Sequence, residues 1–417
     1  MAVAERSLPS SYRWVVLTFA FMAQFSNALC IQSLAPLAPL FQPELGLTKV
    51  EVGFFSSAVF AGSTAMLFLG GAMTDRIGVK KMMVVGQLAA GSFLLSTSLA
   101  EHLWQAVLMM LGAGAAGGML LPAVTKSIML WFSQRGRATA MGIKQAAVPA
   151  GGVITAATLP TLGLLIGWRP AVASVVVVVL VLGVLTALFY RDSGRPEPSE
   201  GSVRPLTAGM GKLLRSRKLW MVSLVAVLFV TGQLALITYL ALYMKEVVLV
   251  PVIPDENTRI VAAGGFLALC QMGGVFGRVF WGFVSDRFFG GRRMVVLALV
   301  GLIAASMSVA LAFLAEGLPL GWLALLVVVY GASAIGWNGV YHVLVAETAG
   351  REFAGTGVGL SMTMNQFGTV GGPPLFGLVV DLSGSYHSAW LLMAGLTLAG
   401  TALAAANMRE EKRVGQS

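Results

Sequence analysis

The residues of this chain best suited to chemistry lie in Gly277–Arg293, which reads Gly-Arg-Val-Phe-Trp-Gly-Phe-Val-Ser-Asp-Arg-Phe-Phe-Gly-Gly-Arg-Arg. Arg278 sits inside an apolar run. A guanidinium is a planar fork of donors that grips a carboxylate through two bonds. Eight residues later, Asp286 opens a short charged loop with Arg287, Gly290, Arg292 and Arg293. The loop has a twin in the first half, Gly71-Ala-Met-Thr-Asp75-Arg76-Ile-Gly78-Val-Lys80-Lys81, in which Gly71 matches Gly282 and Asp75 matches Asp286. The arginine has no twin, because Leu67 stands eight residues before Asp75. The frame is duplicated and the chemistry is not, which makes Arg278 the leading candidate for a substrate ligand.

Arg278 is one of three cationic side chains within apolar runs; the others are Lys126 and Lys144. A charge inside a bilayer is expensive, at least about 2.5–3.5 kcal/mol on insertion scales. Each of the three either reaches to the membrane surface along its own stem or has an anionic partner. The 18 acidic residues all fall in loops or at the ends of apolar runs. No protein carboxylate lies deep enough to pair Arg278 or Lys144, so an anionic substrate is the natural counter-ion. His342, beside Tyr341, is the one midspan group that titrates near neutral pH, and it stands between proton coupling and a hydrogen-bonding role in helix packing. Asn27, Gln233, Tyr239, Gln271, Asn338, Tyr341 and Asn365 complete the set of candidate ligands; each could equally be glue between helices.

The elements that must position these residues are membrane helices. The 417 residues are 57% hydrophobic and 11% charged, with mean hydropathy +0.82; a soluble domain carries about 25% charged residues. Twelve apolar runs of roughly the 20 residues needed to span a bilayer fall near 14–40, 51–73, 82–100, 104–132, 138–165, 169–190, 219–246, 258–284, 294–315, 319–348, 353–380 and 387–407. The first reads as a retained span, since no small-residue cleavage site follows it. Cys30 and Cys270 sit in opposite halves within apolar runs and read as packing residues.

Residues 191–218 form the one long polar segment, a linker with a short surface helix expected near 208–217. It separates an N-terminal six-helix half, 1–190, from a C-terminal one, 219–417. An even number of spans puts both termini on one side. The connections on that side hold 21 of the 28 Lys and Arg residues, against four (Lys49, Arg169, Lys245 and Arg259) on the other. By the positive-inside rule the termini and linker are cytoplasmic. The net charge of +10 is therefore a topology signal and not a nucleic-acid patch. No nucleotide loop, metal cluster or nucleophile constellation is present, so the sequence gives no case for an enzyme, a metal or a cofactor.

The halves repeat in parallel. Gly112-Ala-Gly-Ala-Ala-Gly117-Gly matches Gly331-Ala-Ser-Ala-Ile-Gly336-Trp, and Trp14 aligns with Trp220, setting Asn27 opposite Gln233. With twelve spans, a 6+6 repeat and two copies of one charged loop, the sequence resembles the major facilitator superfamily over essentially its whole length. The resemblance implies an all-α, twelve-span fold in pseudo-two-fold arrangement, a monomer in the cell membrane, and alternating access in which the halves rock about a midplane site. It also implies that Gly71, Asp75, Arg76, Gly78, Lys80, Lys81, Gly282, Asp286, Arg287, Arg292 and Arg293 act as cytoplasmic latches. Many proton-driven members carry an arginine where this chain has Leu108, so that coupling device is not carried over. An arginine eight residues before the second loop acid resembles oxalate/formate exchangers, monocarboxylate transporters and nitrate porters, where it holds the anion; nitrate porters have a second arginine where this chain has Leu67.

The expectation is a secondary transporter of a small mono- or dicarboxylate, by proton symport or anion exchange. Efflux or uptake of an uncharged, drug-like molecule is the rival within transporters. A transport-dead membrane sensor on the same scaffold is the rival of another class.

Overall fold

The computed structural model describes residues 11–132, 134–192, 213–350 and 354–414. They form fourteen α-helices and no strand. In chain order these are α1 (Tyr12–Gln32), α2 (Leu34–Glu44), α3 (Lys49–Ile77), α4 (Val79–Ser98), α5 (Leu103–Trp131), α6 (Gln134–Ile166) and α7 (Trp168–Phe189). After the linker come α8 (Arg217–Tyr243), α9 (Glu256–Phe288), α10 (Arg293–Phe313), α11 (Leu320–Ala334), α12 (Asn338–Ala349), α13 (Ala354–Ser383) and α14 (Tyr386–Val414).

Every expected span is helical. Span one is α1 and α2, jointed at Ser33, and span ten is α11 and α12. Ten segments are long and apolar enough to cross a membrane by length and composition. The helices α4 and α13 are not among them; glycine, serine, threonine and amide side chains dilute their hydropathy. Most of the expected linker helix near 208–217 lies outside the described residues.

The chain divides into two compact units. The first is built on α1, Ala58–Gly152 and α7. The second contains α8–α14 together with Ala35–Ser57 and Val153–Leu165. Nearly all of α2, the start of α3 and the end of α6 thus belong to the second unit.

Close helix packing is glycine-driven in both units. In the first, Gly62 of α3 lies against Leu111 O of α5, and Gly114 against Val59 O. In the second, Gly273 of α9 lies against Val328 O of α11, and Gly331 against Cys270 O. A Cβ at any of the four would collide with a carbonyl, so the backbones approach as lipid-embedded helices do when small residues line the contact. This packing pairs Gly114, not Gly112, with Gly331: the structural repeat is offset by two residues from the one read off the glycine runs.

The loop glycines have a different task. Gly78 (φ 97°), Gly290 (φ 56°) and Gly291 (φ 77°) turn the chain through the left-handed region, which only glycine enters freely. Asp192, after α7, then caps α4 by accepting from Lys80 N–H at 3.0 Å. At the start of α9, Asp255 accepts from the Thr258 hydroxyl (2.5 Å) and N–H (2.7 Å). These bonds hold the exposed Asp255 carboxyl below its ordinary pKa.

Candidate functional site

The charged loops are built of ion pairs with helix partners. In the first unit Lys126 of α5 pairs with Asp75 at 2.7 Å. In the second, Arg293 pairs with Asp286 at 2.9 Å and with Glu347 of α12 at 3.4 Å, and also donates to Ser285 Oγ. Arg76, Lys81, Arg287 and Arg292 are exposed, and Gly71 and Gly282 face open space. Lys126 thus holds the loop acid.

Lys144 is 5% exposed. Its ammonium donates to Thr125 Oγ1 at 3.1 Å, and no ion pair reaches it among the described residues. In the same unit Gln24, Asn27 and Gln87 are buried, each with a side-chain oxygen that accepts no hydrogen bond.

Arg278 lies ten residues before the end of α9, about 15 Å along the axis at 1.5 Å per residue. Its Nε is buried and unpartnered among the described residues. Opposite it, span ten is broken. The backbone ladder of α11 ends with Ile335 N–H donating to Gly331 O and resumes with Tyr341 N–H donating to Trp337 O. Residues 335–337 between them form a turn and not helix. Side chains take the freed carbonyls: Trp281 Nε1 donates to Ala332 O (2.8 Å) and Asn338 Nδ2 to Ile335 O (3.1 Å). The break lets the two helices touch. A Cβ at Gly336 would lie 2.8 Å from Gly277 C, and one at Gly339 would lie 3.0 Å from Arg278 O. Irregular backbone at membrane depth occurs where it is buried in protein or lines a cavity, and broken helices mark substrate sites in several transporter folds.

The other candidates fall into three groups. Gln233 accepts from Trp337 Nε1 (2.9 Å) and Asn338 Nδ2 (3.0 Å), tying α8 to the break. Tyr341 bonds Ser361 Oγ at 2.6 Å, which in turn bonds Ser223 at 2.5 Å. A void of about 10 Å³ beside Gln233, Tyr330 and Trp337 has room for about one water. Gln271 is buried in α9. The Asn365 and His342 side chains each carry a buried atom without a partner.

Tyr239 belongs elsewhere. It stacks on Phe376 and donates its hydroxyl to Lys49 O at 2.6 Å. That contact is part of a cluster at the end away from the termini, which sequence reasoning missed. Lys49 Nζ, at the start of α3, bonds both oxygens of Glu246 (2.6 and 2.7 Å) and Gln42 Oε1 (2.9 Å). Tyr386 donates to Glu246 at 2.9 Å. Asp381 caps α3 by accepting from Lys49 N–H (3.0 Å) and Val50 N–H (2.8 Å). Nothing but a charge at a span end announced Lys49, Glu246 and Asp381, and the partners lie about 200 and 330 residues apart in sequence.

Among the described residues no cluster of His, Cys, Asp and Glu could hold a metal ion.

 Twelve helical spans, two ion-paired charged loops and a broken span beside Arg278, which no ion pair reaches among the described residues, are the features of a helical membrane protein. The family profile of the Major Facilitator Superfamily matches residues 20–373, and the chain belongs to that superfamily of secondary transporters. It is 28% identical to the probable sulfoacetate transporter SauU of Cupriavidus necator, over 86% of this chain and 85% of that one. It is 26% identical to the 3-(3-hydroxy-phenyl)propionate transporter of Escherichia coli, over 97% and 96%. Among solved structures, a bacterial homologue of the lysosomal transporter Spinster superposes with a TM-score of 0.77 at 16% identity, covering 95% of this chain and 97% of that one; at that identity the likeness speaks for the fold alone.

Proposed function

We propose that the protein carries a small organic anion, a carboxylate or a sulfonate, across the cell membrane by alternating access, coupled to protons or to a counter-anion, with the termini in the cytoplasm. One observation carries the reading. Arg278 is a cation within a membrane span whose Nε is buried with no partner among the described residues, and none of the ion pairs there includes it. Leaving such a charge uncompensated is costly, and an anionic substrate removes that cost. Two relatives, a probable sulfoacetate transporter and a 3-(3-hydroxy-phenyl)propionate transporter, support the same class of cargo.

The test is a thermal-shift screen of purified protein against carboxylates, sulfonates and inorganic anions. A true ligand at a hundredfold excess over Kd stabilises by about 2.7 kcal/mol. With the best hit, Arg278→Lys binds at least about tenfold more weakly, because lysine keeps the charge and loses the fork. Arg278→Gln binds nothing while remaining monodisperse. Unchanged stabilisation of Arg278→Gln overturns the anion reading.

A further inference from the structure

The break in span ten puts three features together. Gly339, in the first turn of α12, meets the backbone of Arg278. His342 lies three residues on, and positions three apart share a helix face. Arg278 and His342 are within electrostatic reach of one another. Arg278 Nε and His342 Nδ1 are both buried and both unpartnered among the described residues. The third feature is the start of α12, a twelve-residue helix whose N-terminus carries partial positive charge. The backbone of Arg278 lies against this first turn, and helix N-termini bind oxyanions through their free amides.

Resting on the reading of Arg278 above, we infer that Arg278, His342 and the first turn of α12 form one oxyanion site that takes a ligand with three acceptor oxygens at its charged end. The guanidinium fork takes two oxygens in its own plane. The histidine nitrogen and the α12 amides supply donors outside that plane. A plain carboxylate has no third oxygen for them. A 2-hydroxy or 2-oxo carboxylate has one on the next carbon, and a sulfonate has one on sulfur. His342 is in this view a specificity-determining residue and its nitrogen a ligand.

The experiment measures stabilisation of full-length protein by acetate, glycolate and methanesulfonate at matched ionic strength. Wild type is stabilised by glycolate, methanesulfonate or both at concentrations about tenfold below those acetate requires, the size expected for one added hydrogen bond to a charged group. Glycolate alone identifies a 2-hydroxy acid site, and methanesulfonate alone a sulfonate site. His342→Phe keeps a ring against Tyr341, removes the nitrogen and loses this advantage. His342→Asn, whose amide nitrogen falls near the position of Nδ1, retains most of it; a purely structural histidine gives no such rescue. Equal response to all three anions, no response to any, or an advantage that survives in His342→Phe overturns the inference. Loss of all binding in Arg278→Gln with His342→Phe unaltered overturns it while leaving the proposed function standing. Unaltered binding in Arg278→Gln overturns both.

Discussion

The Lys49–Glu246 pair ties the start of α3 to the segment after α8 within the second unit, and its strength follows from its surroundings. Both carboxylate oxygens lie within 2.7 Å of the ammonium, and the side chains are 14% and 27% exposed. Breaking a fully buried pair by removing one partner destabilises by about 3–5 kcal/mol; an exposed pair contributes about 0.2–1 kcal/mol. Glu246→Gln keeps an acceptor for Lys49 and loses the charge, so a loss of about 1.5–2 kcal/mol is expected, between those limits. Every 1.4 kcal/mol is a factor of about ten in an equilibrium, which makes the opened form roughly 10- to 30-fold more populated. Ser57 reports on it: its hydroxyl donates to Val370 O at 2.5 Å inside the same contact. In a Ser57→Cys background, a water-soluble maleimide should alkylate the Glu246→Gln protein about 10–30-fold faster than its parent, on the same arithmetic. Native Cys30 and Cys270 are buried and add little background. The double variant Lys49→Met, Glu246→Gln should label more slowly than the product of the two single effects, the signature of a direct pair. An unchanged rate in Glu246→Gln would show that the Asp381 cap and the Tyr239 bond hold the contact without the ion pair.

Two further outcomes are expected. Asp286→Asn removes one partner of Arg293 and leaves Glu347, so transport should slow while equilibrium anion binding stays within a few-fold; loss of binding with the fold intact would make the loop part of the site. Cysteine at Ser202, outside the described residues, should be unreachable by impermeant reagent from outside intact cells, and cysteine at Asp255 should be labelled; the reverse pattern would invert the proposed orientation.

What could be read from the sequence was local. The twelve spans follow from apolar run length, and the two loops from a repeated spacing of Gly, Asp and basic residues. Arg278 stood out because no acid lay deep enough to pair it. What could not be read depends on which helices meet. Lys126 is near a span end, and no local signal tells whether it reaches to water or to Asp75. The break in span ten was written as Gly336 and Asn338, residues that also occur in unbroken helices. It becomes a break because Trp281 and Asn338 take up the freed carbonyls. Tyr239 looked like a ligand from its place in span seven, but its height in α8 carries its hydroxyl to Lys49.

The ion pairs at the two ends of the molecule differ in their access to water. Near the termini, Asp75 and Asp286 are 63% and 66% exposed, and mobile ions at physiological strength screen charges in solvent over about 8 Å. The Lys49–Glu246 pair is shielded by Gln42 and Tyr386, out of reach of most of that screening. Dissolved salt therefore acts unevenly: it weakens the Asp75 and Asp286 pairs and leaves the Lys49–Glu246 pair largely untouched. With the orientation proposed above, a cell that raises its internal salt would loosen these loop pairs and spare the far one.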